Sequence, residues 1–289
     1  MKRIKVTYEI VTPMKMWGAK RGFAELRLPS IKGALRSWYR VFMPAFNQPV
    51  GDSKVTHEEA LFGGARSGAG QSRFLMRMTG KKPDAKNKPD FTPGQTFSFE
   101  VILRTAKDED ETRYWKVIAS CLWLLGHAGR LGARKNRGYG VLALREWETN
   151  SQALEYMNDL PIAYQTTTIE EWRAQFGQGM KVITQWFPGS KLLNWATVYY
   201  YDASRLSDWK SALAKGEEHI SKYCKKMGYT RLTSPIMLSV VLLQDRYVPI
   251  FYLRSVDFPM VKEKEKNELD HYIQYFRCMQ EFKEAKWIE

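Results

Sequence analysis

The 289-residue sequence predicts an α+β fold in two domains, 1–148 and 149–289, on three observations. Along the first half, period-two and helix-period apolar patterns follow one another in the order β, α, β, β, α, β, a split βαβ plan. Charge then divides the chain, since residues 1–150 hold 27 Lys+Arg against 14 Asp+Glu and residues 151–289 hold 18 against 17. Finally, a turn of glycines and cations, His127 to Leu144 (HAGRLGARKNRGYGVLAL), joins an apolar helix to a strand at the end of the first half.

The first strand spans Lys2 to Val11, where Ile4, Val6, Tyr8 and Ile10 alternate with Arg3, Lys5, Thr7 and Glu9 and leave one face for burial. A basic loop, Thr12 to Leu28, leads to a helix that Pro29 and Ser30 begin, with Ser30 as N-cap. Its buried stripe is Ile31, Leu35, Trp38, Tyr39 and Phe42. Lys32, Arg36 and Arg40 stand four apart on another face, with no carboxylate of the helix to pair them, so their mutual repulsion is a cost that an anionic ligand would relieve. Gly33 weakens the first turn by roughly 1 kcal/mol relative to alanine. Close approach of another backbone or core packing would each account for it.

A glycine-rich insertion from Phe46 to Gly80 carries a short apolar anchor, Ala60-Leu61-Phe62, and ends in a strand from Gln71 to Met78. The polar run Lys81 to Asp90 reads as a loop tip. Phe97, Phe99, Val101 and Leu103 form the next strand, and Asp108 to Leu125 a helix with acids in its first turn. Val141 to Leu144 is the strand after the glycine turn, which completes a ferredoxin-like (RRM-like) order.

After a polar bridge, Glu148 to Thr168, the second half reads as a helix (Ile169 to Phe187), an aromatic strand (Trp195 to Tyr201) and a helix (Arg205 to Met227). A hairpin of Pro235 to Leu243 with Tyr247 to Leu253 follows, then a last helix, Glu263 to Trp287, with Leu269, Tyr272, Ile273, Phe276, Met279 and Phe282 on one face.

A formal net charge of +14, with +13 of it in residues 1–150, directs a polyanionic partner to the first half. In the turn, Gly129, Gly132 and Gly138 permit positive φ and close approach, and Arg130, Arg134, Lys135 and Arg137 supply cations, so a phosphate backbone is the indicated ligand. A solvated basic turn is the plainer alternative. Cys121, Cys224 and Cys278 form no CxxC pair, so neither a disulfide framework nor a zinc site is indicated, and no cofactor is expected. The alternating, charged N-terminus and the lack of a run of ~18 apolar residues read as a soluble, cytoplasmic chain with no membrane partner. Dinucleotide, P-loop, serine-hydrolase and zinc-protease motifs are absent, and no residue is assigned a catalytic or metal-binding role. His127 borders the basic turn and is the one candidate acid or base, read as structural.

Three segments, Pro29 to Arg40, Glu59-Ala60-Leu61-Phe62-Gly63 and Gly129 to Gly140, resemble the RAMP superfamily of CRISPR proteins in their order and spacing. The combination is most similar to the first RAMP subunits of type III-B (Cmr) effector complexes. That resemblance implies two ferredoxin-like domains, the second more divergent. It also implies a ribonucleoprotein whose other RAMP subunits are the partners, with contacts to the 3′ region of the guide RNA and to target RNA and no chemistry by this subunit. The RNA surface expected is then Lys32, Gly33, Arg36 and Arg40 with Gly129, Arg130, Gly132, Arg134, Lys135, Arg137 and Gly138. Arg137-Gly138-Tyr139-Gly140 matches the start of the RNP1 pattern, yet Val141 and Leu144 stand at its later aromatic positions. RNA should therefore be held through its backbone. The rival function is a metal-independent endoribonuclease related to CRISPR repeat-processing enzymes. Their glycine loop usually lies near the C-terminus, where Pro259 to Glu289 here contains no glycine.

Overall fold

The computed structural model describes residues 2–18, 23–65, 68–80, 82–85, 90–104, 111–201, 206–226, 236–255, 263–279 and 282–285. Parts of the Lys81 to Asp90 loop, the acids Asp108 and Asp110, and the expected boundaries at Arg205, Met227, Pro235 and Trp287 lie outside the described residues.

The α+β class holds, with two four-stranded antiparallel sheets. In the first half the elements are β1 (Arg3–Ile10), α1 (Leu28–Phe42), α2 (His57–Phe62), β2 (Phe74–Thr79), β3 (Thr96–Leu103), α3 (Glu111–His127) and β4 (Leu142–Thr149). The strands stand in the order β2-β3-β1-β4. Ile4, Val6, Tyr8 and Ile10 point to α1 and α3, and the register Val6↔Phe99 and Tyr8↔Phe97 continues the apolar face across the sheet. The opposite face is polar, where Arg3 and Arg77 flank Glu100 and Lys5 meets Glu148 at 3.2 Å.

The second half begins with α4 (Ile169–Trp186) and continues as β5 (Ala196–Tyr201), α5 (Trp209–Lys226), β6 (Ile236–Leu242), β7 (Tyr247–Arg254), α6 (Glu263–Cys278) and β8 (Phe282–Ala285). From β5 onward this is the same β-α-β-β-α-β order, and the sheet order β6-β7-β5-β8 corresponds strand for strand to the first. One face of the second sheet packs Tyr199, Leu238 and Phe251 against Leu213 of α5 and Tyr272 and Phe276 of α6. The other face, with Val198, Ile250 and Tyr252, joins the core built by the first sheet, α1, α3 and α4. Gly179 lets α4 close on α3, since a Cβ there would stand 2.2 Å from the Trp123 ring. Phe176, one turn earlier, stacks on that indole at 5.3 Å.

Several expected boundaries move. α1 starts at Leu28 with Arg27 at the cap position, and Pro29 occupies the first turn where no amide donor is needed, so Ser30 lies inside the helix and does not cap it. The apolar anchor at Ala60 to Phe62 is the helix α2, fixed by a capping box in which Thr56 and Glu59 bond each other's backbone amides. β4 runs on to Thr149, through Glu148. The last helix stops at Cys278, and Phe282 enters the second core from a short strand paired with β5.

Candidate nucleic-acid interface

The glycine turn is shaped by the chain it rests on. Ala133 N donates to Lys15 O at 2.8 Å and Gly140 N to Pro13 O at 3.0 Å, which fastens both limbs of the turn to the segment after β1. Thr12 Oγ1 locks the same contact by donating to Gly138 O at 2.7 Å and accepting from Val141 N at 3.0 Å. Gly132 has φ 86° and a Cβ there would lie 2.2 Å from Lys15 O. At Gly140, with φ 69°, it would lie 1.8 Å from Leu131 O, so a side chain at either site would break the turn. Gly138 faces Leu213 and Leu238, and Gly129 lies against the backbone of Leu125. These glycines fit the turn to its own protein.

The cations of the turn separate into two groups. Arg130 points inward: it is 8% exposed and donates to Leu238 O at 2.6 Å, across to the second sheet. Burial lowers its pKa to about 10, and Arg254 adds to that fall. It ties the two halves together and is unavailable to a phosphate, which corrects its expected place on an RNA surface. Arg134, Lys135 and Arg137 are exposed. Arg134 takes φ 56°, a left-handed conformation unusual for a residue with a side chain, and sets its guanidinium 6.0 Å from the Tyr139 ring centre. Lys135 is held below the ordinary lysine pKa by burial and by Arg130 and Arg254.

On α1 the expected row of unpaired cations is not what forms. Glu58 of α2, 5% exposed, accepts from Arg36 Nε, from Arg40 Nε, and from Arg40 Nη2 at 2.7 Å. Burial raises the Glu58 pKa, but the hydrogen bonds from Arg40 and Arg36 outweigh it and hold the carboxyl below its usual value. Arg40 is thereby committed to the protein, whereas Arg36 retains an edge on a cleft between α1 and residues 63–65 and 68–72. That cleft, of about 670 Å³, also holds Lys32 and Arg104, and the residues lining it include no acid.

 Burial, Arg36 and Arg104 all lower the pKa of Lys32. Gly33 is exposed and a Cβ there would meet nothing within 4 Å, so neither close backbone approach nor core packing within this chain accounts for it.

On the other flank of α1, Ala34, Ser37 and Trp38 face the start of the glycine turn across a second cleft of about 190 Å³. Lys135, Asn136, Trp195, Met237 and Arg254 complete its wall. Lys32 and Lys135 thus stand on opposite flanks of one helix, with Gly33 on the exposed surface between the clefts. Arg104 and Arg254 belong to these cationic groups and were missed in the sequence, where each is a lone arginine at a strand end with no basic neighbour to mark it.

His127 is 6% exposed, and both ring nitrogens are engaged: Nδ1 donates to Trp123 O at 2.8 Å and Nε2 accepts from Ala163 N at 3.0 Å. Burial lowers its pKa to about 4. Val141 and Leu144 are buried in the core. Among the described residues, no group of three or more His, Cys, Asp or Glu side chains is placed to hold a metal ion, and no helix is long and apolar enough to cross a membrane.

Among curated proteins no sequence matches significantly. The fold is that of Cmr1 from Pyrococcus furiosus in its apo crystal structure, at a TM-score of 0.60 and 18% identity over 98% of both chains. It is also that of a chain in the cryo-EM structure of the Type III-B Cmr-beta bound to cognate target RNA, at a TM-score of 0.60 and 10% identity, covering 95% of this chain and 99% of that one. The RAMP superfamily model matches residues 7–143, from β1 through both clefted flanks of α1 to the glycine turn.

Proposed function

We propose that the chain is a non-catalytic RNA-binding subunit of a type III-B CRISPR effector ribonucleoprotein, holding guide RNA near its 3′ end and target RNA through backbone phosphates. The observation that carries this reading is the pair of cationic groups flanking α1. Lys32 stands with Arg36 and Arg104, and Lys135 with Arg130 and Arg254; burial first, and then these neighbouring cations, lower the pKa of each lysine, and no carboxylate lines either cleft among the described residues. A polyanion laid across α1 at Gly33 would relieve both repulsions at once. The likeness to a chain of an assembly bound to target RNA supports the same reading. For the endoribonuclease alternative, His127 offers no accessible acid or base, because its ring is enclosed and both nitrogens bond backbone.

The test is a salt titration of single-stranded RNA binding. Lys32→Ala combined with Lys135→Ala should flatten the slope of log K against log salt by about 1 to 2 units, at roughly 0.7 per phosphate contact. Lys222→Ala, which removes a cation paired with Glu218 in the second half, should leave it unchanged. Full-strength binding by the double variant overturns the reading.

A further inference from the structure

We propose that the cleft between α1, the start of the glycine turn and the second sheet receives one extruded nucleobase of the bound RNA. The inference rests on the RNA-binding reading and names what this part of the surface recognises. Its volume is about 190 Å³, and an apolar cavity of about 150 Å³ accommodates benzene, so the space suits a single base and excludes a stacked pair. Trp38, Trp195 and Met237 give the cleft apolar walls, beside the buried Arg130 guanidinium, which lines it too and is held by Leu238 O and Met237 Sδ. The two indoles meet edge to face, their centres 5.3 Å apart at 80°, which gives the cavity walls in two orientations against which a planar ring can pack.

The rim has the opposite character. Lys135 and Arg254 stand at the mouth with Asn136 beside them, and no acid is among the lining residues. A nucleotide has the matching polarity, an apolar ring joined to an anionic phosphate. The Trp195 Nε1 atom is buried without a hydrogen-bond partner, a standing cost that a base carbonyl reaching the wall would remove. Elsewhere the first sheet offers bases no such platform, since its open face carries ion pairs around Glu100 and Glu148.

The experiment uses the full chain and short single-stranded oligoribonucleotides carrying 4-thiouridine at one position at a time. Irradiation should give a cross-link from one position to a peptide containing Trp38, Trp195 or Met237. Ala34→Phe, which places a ring in the cavity from the flank of α1, should abolish that cross-link and weaken binding on the order of tenfold, with the salt slope unchanged. Circular dichroism and thermal unfolding confirm that the variant is folded; should it not be, Ser37→Tyr fills the same cleft from an exposed position. Wild-type binding that depends on salt, with cross-links confined to Arg134 and Arg137 and no loss in the filled variant, overturns the pocket alone. Absence of salt-dependent binding by the wild type overturns the pocket and the RNA-binding reading together.

Discussion

In the first sheet β1 alternates, with Ile4, Val6, Tyr8 and Ile10 inward and Lys5, Thr7 and Glu9 outward, whereas β6 and β7 of the second sheet are buried at nearly every residue. The two sheets have the same strand order. What differs is the covering: α1 and α3 cover one face of the first, while the second lies between α5 and α6 on one side and the shared core with α4 on the other. A repeated topology has therefore been put to two uses. The open half can carry charge on its helices and loops, and the enclosed half supplies the apolar wall against which the basic turn is seated.

The largest expected effect tests the joint between the halves. Arg130→Ala leaves the Leu238 carbonyl without its donor and opens a cavity beside Met237, and should cost roughly 2 to 4 kcal/mol in denaturant unfolding. Lys5→Ala removes an exposed pair with Glu148 on the open face and should cost less than about 0.5 kcal/mol. Comparable losses from the two substitutions would remove the distinction between an open and an enclosed half.

A pH titration sharpens the same distinction. The folded-state pKa of His127 lies near 4, below the ordinary 6.5, so the unfolded chain binds the proton more readily. Its stabilisation is complete above the unfolded value and is lost as pH falls toward the folded one. Between pH 7 and pH 5 this amounts to about 2 kcal/mol. Glu58, whose folded pKa is also depressed, loses its contribution at lower pH, below the ordinary carboxylate value. His127→Gln can keep both backbone hydrogen bonds without titrating, and should flatten the dependence between pH 7 and pH 5. An unchanged profile in that variant would mean that the enclosed histidine does not govern it.

Much of this arrangement is legible in the sequence where burial is one-sided. The alternation of β1 and the stripe of α1 are written by the need to hide one face, and both appear where expected. β8 was hidden because Phe282 continues the helical spacing of Tyr272 and Phe276, and four residues carry too little pattern to show a change of period. α2 had a readable signal, the Thr56-x-x-Glu59 capping box. The site is harder to read, because its electrostatics depend on partners distant in the chain. Glu58 reaches Arg36 from another helix and Arg254 approaches Lys135 from another sheet, so a sequence can show the cations but not which of them are already neutralised.

The smallest effect compares equivalent first strands of the two sheets. Val198 on β5 is 1% exposed and faces the shared core, so Val198→Thr buries a hydroxyl among apolar neighbours at nearly constant volume and should cost about 1 kcal/mol. Thr7 on β1 lies on the open face, 2.9 Å from Ser98 Oγ, and Thr7→Val leaves that hydroxyl free to bond water, so its effect should stay within about 0.5 kcal/mol. Denaturant unfolding of both variants measures the difference directly. Because one change adds the hydroxyl that the other removes, the pair isolates the environment from the chemistry, and equal costs would show that the second sheet is not enclosed on the side facing α4.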